Sequence, residues 1–168
     1  MAKVTQVVKR VCAEKGLDTG YNIIKRGRSI VGSAGITLYS VGGIKEIPDI
    51  RTYLSVDGGM GDNPRYALYK AEYDMLIASK ANEPKTRTVT VAGRCCESGD
   101  LLGDNVPIQA PTVGDTLAVL ATGAYNYSMA SNYNRLPKPA VVMVKDGASR
   151  VVIRRETYED IVRGDVDE

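Results

Sequence analysis

The 168-residue chain contains no histidine, no phenylalanine and no tryptophan. Without histidine it cannot build a Ser/His/Asp triad, a Cys/His pair or a histidine-ligated metal site from its own residues. All ten aromatic residues are tyrosines, so every ring carries a hydroxyl that needs a hydrogen-bond partner or a function. We expect some of these tyrosines to face a ligand.

The chain also lacks a marked charge excess, a long apolar run and a cysteine framework. Its 22 basic and 20 acidic side chains leave a net charge of +2, and no Lys or Arg run suits a nucleic-acid backbone, so nucleic acid is not an expected partner. No stretch approaches the ~20 apolar residues of a membrane span, and no secretory signal pattern opens the chain, so no membrane partner is expected. Three cysteines, two of them adjacent, favour reduced thiols and a cytoplasmic location.

Hydrophobic patterning predicts a mainly β fold with some α-helix (α+β). Apolar residues recur at helical spacing over residues 3–15, and Gly16 ends that pattern. Short β-type runs with turn residues between them favour an antiparallel barrel or sandwich. The predicted strands are 21–24, 36–47, 52–56, 72–79, 87–92, 116–121, 140–144 and 150–154. The first helix and strand indicate one unit of an α/β array ahead of this domain.

Two short helices and one polar loop complete the prediction. Asn63 and Pro64 suit an N-cap and a first helical residue, and residues 157–162 carry acidic side chains in the first turn of a terminal helix. The segment 123–135 is rich in Tyr, Asn and Ser. It is too polar for the core, and we interpret it as a binding loop.

The loop 95–100 and the turn at Gly27 carry the first candidate site residues. Cys96 beside Glu97 could donate a proton next to a cation-binding carboxylate, or could be a half-buried cysteine beside a solvated acid. Gly27 and Arg28 could bind an anion through backbone N–H groups and a guanidinium, or could form an ordinary turn with a surface arginine.

Arg65, Tyr69 and Tyr125 are the remaining candidates. Arg65 and Tyr69 lie four residues apart on a predicted helix and therefore share a face, which either holds one ligand or is simply exposed. Tyr125 could donate its hydroxyl to a phosphate or could cover the rim of the barrel.

Three segments strongly resemble the C-terminal half of the bacterial diaminopimelate decarboxylase family: SVDGGMGDNPRYALY (55–69), CESGD (96–100) and TGAYNYSMASNYNRLPKP (122–139). The resemblance implies a pyridoxal 5'-phosphate enzyme that converts meso-2,6-diaminopimelate to L-lysine and CO2. It implies that residues 1–35 are the last pieces of an alanine-racemase-type (β/α)8 barrel. Residues 36–168 would form the C-terminal β-barrel domain of a homodimer with active sites at the interface.

The resemblance also implies roles for the candidate residues. Arg28, Arg65 and Tyr69 would hold the distal carboxylate of the amino-acid substrate. Gly27 and Arg28 would belong to the turn that binds the cofactor phosphate, and Tyr125 would contact cofactor and substrate. Cys96 would be the proton donor in the active site of the partner subunit, where Glu97 would bind the distal amino group of the substrate.

Two departures from the family accompany these matches. Lys25 and Arg26 stand where the family has Glu-Pro, and a cation in place of that glutamate would weaken the cofactor as an electron sink. The lysine that carries the cofactor belongs to an N-terminal half that this sequence does not match. The chain alone is therefore expected to be inactive. The alternatives are a non-catalytic dimerising or regulatory fragment and one half of a split decarboxylase.

Overall fold

The computed structural model describes residues 2–21, 23 and 26–166. More of these residues lie in strands than in helices, and the helices are short except for the first. The elements are α1 (Ala2–Lys15), α2 (Arg28–Val31), β1 (Thr37–Ile47), β2 (Arg51–Val56), α3 (Arg65–Tyr69), β3 (Met75–Ile77), β4 (Arg87–Ala92), β5 (Leu101–Ile108), β6 (Thr116–Val119), β7 (Val141–Lys145), β8 (Ala148–Ile153) and α4 (Tyr158–Val162).

Six strands form one sheet in the order β3-β6-β1-β2-β4-β5. β2 and β4 pair in parallel, whereas the other neighbours in this sheet pair antiparallel. Met75 of β3 lies close to Gly103 of β5, so the two ends of the sheet nearly meet. The predicted β-barrel with some α-helix is confirmed.

Alternating apolar side chains of the strands fill the barrel. Leu54, Ile77, Val91, Leu102 and Leu117 are fully buried and come from five different strands. Burying one such side chain stabilises the fold by about 1.5–3 kcal/mol. The barrel is therefore a packed core, and its connecting loops are free to carry a site.

Several local predictions differ from the structure. The sequence analysis missed β5, which contains Gly103, Asn105 and Pro107; Asn105 adopts a left-handed φ of 52°. The helix after residue 63 is present, but Pro64 is its N-cap and the Asn63 side chain points to other partners. The predicted strand 21–24 falls partly outside the described residues, and its described members, Tyr21 and Ile23, are not in a strand.

The predicted helix at residues 3–15 is present as α1, but it buries none of its residues. Its apolar residues Val4, Val7 and Val11 remain exposed. No (β/α)8 remnant is visible in the part of the chain that the structure describes before β1. At the other end, β7 and β8 form a separate exposed hairpin.

No helix in the described ranges has the length and apolarity to cross a bilayer.

Candidate functional site

Two arginines from distant parts of the sequence converge on one tyrosine. Arg28 is the first residue of α2 and Arg65 the first residue of α3. Each guanidinium carbon lies 5.8 Å from the centre of the Tyr125 ring, within the range of a cation–π contact. The structure thus brings together three predicted site residues that are up to 97 positions apart in the sequence, since Tyr125 is 97 residues after Arg28.

Tyr69 and Met129 complete the surroundings of Arg65. The guanidinium carbon lies 5.3 Å from the centre of the Tyr69 ring, one helical turn along α3. The Nη1 atom lies 3.9 Å from the Met129 sulfur. Tyr69 is largely exposed, so this side of the cluster is open to a ligand.

Gly27 fits against Tyr125 so closely that no side chain is possible without movement. A Cβ added at Gly27 would overlap the Tyr125 hydroxyl. Tyr125 itself has a φ of 68°, a left-handed conformation that is uncommon for an aromatic residue and marks a constrained site. The glycine therefore brings its main chain directly against the hydroxyl of the ring that the two arginines share.

The two arginines have unused hydrogen-bonding capacity. Neither Arg28 nor Arg65 forms an ion pair within the described ranges. The Nη2 atom of Arg28 and the Nε atom of Arg65 are buried without a hydrogen-bond partner in that same part of the chain. Leaving a charged donor buried and unpaired is costly. Two such donors beside a phenol suit a phosphate or carboxylate group, which accepts several charge-assisted hydrogen bonds.

A buried polar chain that the sequence analysis missed supports Arg28. Arg28 donates to the Tyr73 hydroxyl at 3.5 Å, and that hydroxyl donates to Asn126 Oδ1 at 3.2 Å. Asn126 Nδ2 in turn donates to Asn63 Oδ1 at 2.7 Å. Asn126 follows Tyr125 in the predicted binding loop, which was a usable signal. No sequence signal marked Tyr73, apart from the general expectation that some tyrosines face a ligand.

Cys96 and Glu97 lie in a second cluster. They belong to the loop between β4 and β5, where both are exposed. Glu97 Oε1 accepts from the Gly99 N–H at 3.0 Å and from the Ser98 hydroxyl at 3.3 Å, and Oε2 accepts from the Tyr133 hydroxyl at 3.4 Å. The Gly99 bond, followed by the Ser98 bond, lowers the pKa of Glu97, which therefore stays anionic at neutral pH.

The two clusters have no shared residue among these contacts. The partners of Glu97 are its own loop and Tyr133, whereas the arginines share Tyr125. Lys25, the predicted departure from the family turn, lies outside the described residues, and its neighbour Arg26 is exposed. The chain therefore carries an arginine–tyrosine cluster and a separate loop with a thiol and a carboxylate.

Comparison with known proteins gives the family of the chain. The family described as "Pyridoxal-dependent decarboxylase, C-terminal sheet domain" matches residues 5–123. Diaminopimelate decarboxylase of Bacillus subtilis is 51% identical over 164 residues, which are 98% of this chain and 37% of that protein. The Halalkalibacterium halodurans enzyme of the same name is 52% identical over 164 residues, with the same two coverages.

A solved structure shows the same fold. The crystal structure of the M. jannaschii diaminopimelate decarboxylase in complex with L-lysine superposes with a TM-score of 0.80 and 33% identity, and covers 96% of this chain and 37% of that one. The chain thus spans little more than a third of the length of the relatives it matches. By its matched segment, its fold and its relatives, the chain belongs to the family of pyridoxal-dependent decarboxylases, whose C-terminal sheet domain it contains.

Proposed function

We propose that this chain is the C-terminal part of a diaminopimelate decarboxylase, which converts meso-2,6-diaminopimelate to L-lysine and CO2. The observation that carries the proposal is the convergence of Arg28 and Arg65 on Tyr125, with a buried guanidinium nitrogen of each left without a partner. Relatives of this name share about half of its residues. A substrate with carboxylates at both ends needs such a site at its distal end.

The residues around Gly27 fit a bound pyridoxal phosphate. Gly27 lets the main chain approach, Arg28 supplies a guanidinium, and Tyr125 supplies a hydroxyl at the same point. These three would hold the phosphate side of the cofactor. When bound, pyridoxal phosphate supplies the electron sink that makes loss of CO2 from an amino acid possible. The lysine that carries it would come from the N-terminal barrel part of the enzyme.

Arg65, Tyr69 and Glu97 would select the substrate. Arg65 and Tyr69 would bind the distal carboxylate, together with Arg28, and the anionic Glu97 would bind the distal amino group. Ornithine and arginine decarboxylases of related fold act on substrates whose distal end is only cationic. Two unpaired arginines would repel such a distal end, so the cluster favours diaminopimelate.

Cys96 would hold the proton that replaces the lost CO2. Its side chain is exposed and lies next to Glu97 in the β4–β5 loop. The family resemblance implies that Cys96 and Glu97 belong to the active site of the partner subunit in a homodimer. Consistent with this, the loop and the arginine cluster share no residue in their contacts. The thiols suit the cytoplasm, where cysteines stay reduced.

Reconstitution tests the proposed function. The chain is co-expressed with the N-terminal part of the Bacillus subtilis relative, and the purified complex is supplied with pyridoxal phosphate and meso-2,6-diaminopimelate. We expect L-lysine to form, and Arg65→Met or Cys96→Ser to abolish it without dissociating the complex. A stable complex that forms no L-lysine would contradict the proposal and favour a non-catalytic fragment.

A further inference from the structure

Asp100 is a buried carboxylate that joins two loops. It is 3% exposed. Its Oδ1 atom accepts from the Met60 N–H at 2.6 Å and its Oδ2 atom from the Cys95 N–H at 2.7 Å. Hydrogen bonds to a charged acceptor are the strong ones. One side chain therefore fixes the start of the thiol loop to the turn that precedes α3.

Two glycines enclose this carboxylate. A Cβ added at Gly59 or at Gly93 would overlap the Asp100 carboxylate oxygens. The main chain closes the same loop, because the Gly93 N–H donates to the Asp100 carbonyl at 2.8 Å and the Asp100 N–H donates to the Glu97 carbonyl at 3.0 Å. The enclosure leaves the carboxylate little freedom to rotate or withdraw.

The two adjacent cysteines at the start of this loop differ in exposure and in reactivity. Cys95 is half-buried, and Cys96 is exposed. Burial, and then the negative charge of Asp100, raise the pKa of the Cys95 thiol to about 11. Cys95 thus stays protonated and unreactive, whereas its neighbour points outward.

We propose that Asp100 is a positioning residue that anchors the loop at Cys95, so that Cys96 and Glu97 are presented together to the reacting substrate. The hydrogen bonds of Asp100 to Met60 and Cys95 are the evidence that it joins the two loops. The role of Cys96 and Glu97 rests on the proposed function. Asp100 acts through the loop, and it does not contact the substrate.

Thiol labelling of the 168-residue chain tests the anchor directly. The first variant is Asp100→Asn, whose NH2 group cannot accept a hydrogen bond and would replace one of the two oxygens that accept from Met60 and Cys95. The second is Gly93→Ala, whose added methyl group would displace the Asp100 carboxylate. Gly43→Ala is the matched control, because a Cβ there meets nothing within 4 Å. Iodoacetamide labelling at pH 8 is followed for each cysteine by peptide mass spectrometry.

We expect both loop variants to raise the labelling rate of Cys95 at least ~10-fold, because its thiolate fraction increases as its pKa falls toward the ordinary value. The pH midpoint of Cys95 labelling should fall with it. Cys12 on α1, which is not buried, serves as an internal control for the reagent and the pH and should change less than ~2-fold. Amide exchange should accelerate in residues 95–99 and stay unchanged in β6.

Unchanged Cys95 labelling and loop exchange in both variants would overturn the proposal. So would an equal increase in Gly43→Ala. In the reconstituted enzyme, Asp100→Asn should lower kcat at least ~10-fold with little change in phosphate binding at the arginine cluster. An inactive wild-type complex would contradict the proposed function alone, since the labelling result still decides the role of Asp100.

Discussion

Replacement of Asn126 by alanine tests the polar chain that supports the arginine cluster. The carboxamide accepts from the Tyr73 hydroxyl and donates to Asn63 Oδ1. Asn63 is 1% exposed and Asn126 is 4% exposed, so water cannot readily replace the lost partner. Asn126→Ala would leave the Asn63 oxygen unpaired and release the Tyr73 hydroxyl, and with it the orientation of Arg28.

The magnitude follows from the burial of the two orphaned groups. A buried polar group without a partner costs about 1–3 kcal/mol. Asn63 is fully enclosed and belongs near the middle of that range, whereas Tyr73 is half-buried and belongs at its lower end. We expect the free energy of unfolding to fall by about 3 kcal/mol, which corresponds to ~6–12 °C in Tm for a chain of this size.

Urea unfolding followed by far-UV circular dichroism measures this change. The control is Asn82→Ala, at an exposed turn position, which should alter stability by less than ~0.5 kcal/mol. The m-value should be unchanged, since the same surface is exposed on unfolding. A loss below about 1 kcal/mol for Asn126→Ala would refute the view that water cannot replace the Asn126 carboxamide at Asn63 and Tyr73.

Three further changes probe the proposed phosphate site at Gly27, the buried carboxyl group of Asp62 and the exposed helix α1. Gly27→Ala should displace the Tyr125 hydroxyl and weaken binding of inorganic phosphate about tenfold, the value of one charge-assisted hydrogen bond, as measured by calorimetric titration. Burial raises the pKa of Asp62, so stability is lost as pH rises from the unfolded pKa of ~3.9 through the folded one. Asp62→Asn should therefore raise Tm at pH 8 and lose this advantage below pH ~4. Val7→Lys on exposed α1 should leave stability within ~0.5 kcal/mol and reduce light scattering from self-association.

Each of these has a contradicting outcome. Gly164→Ala is the control for Gly27→Ala, because a Cβ there meets nothing within 4 Å. Equal phosphate affinity in both variants would show that Gly27 is not part of the phosphate site. A Tm difference for Asp62→Asn that is the same at pH 4 and pH 8 would show that its charge is not the cause. Strong destabilisation by Val7→Lys would mean that α1 packs against the barrel.

Local patterns predicted those parts of the fold in which neighbouring residues decide the structure. The 3.6-residue apolar period of α1 and the Gly16 stop are visible in sequence, and Gly16 indeed has a φ of 64°. The terminal helix also follows from its sequence, because Thr157 and Asp160 form a reciprocal capping box. The spacing of Arg65 and Tyr69 placed them on one face of α3.

Long-range structure was less accessible. β5 was missed because Gly103, Asn105 and Pro107 are turn formers, and only pairing with β4 makes the segment a strand. Asn63 suited an N-cap by local rules, but its side chain is held by Asn126, 63 residues away. Such partners are set by the closure of the barrel, so no local pattern indicates them.

The central claim is that the chain carries two half-sites, one used by its own subunit and one offered to the partner. Co-expression of Arg65→Met and Cys96→Ala chains with the N-terminal part tests it, because each variant alone should be inactive. In a two-fold dimer with shared sites, half of the random dimers are mixed and each has one intact site, so L-lysine formation should recover to about a quarter of the wild-type rate. No recovery from mixed dimers of proven composition would contradict the claim, since it would place Arg65 and Cys96 of the same subunit in one site.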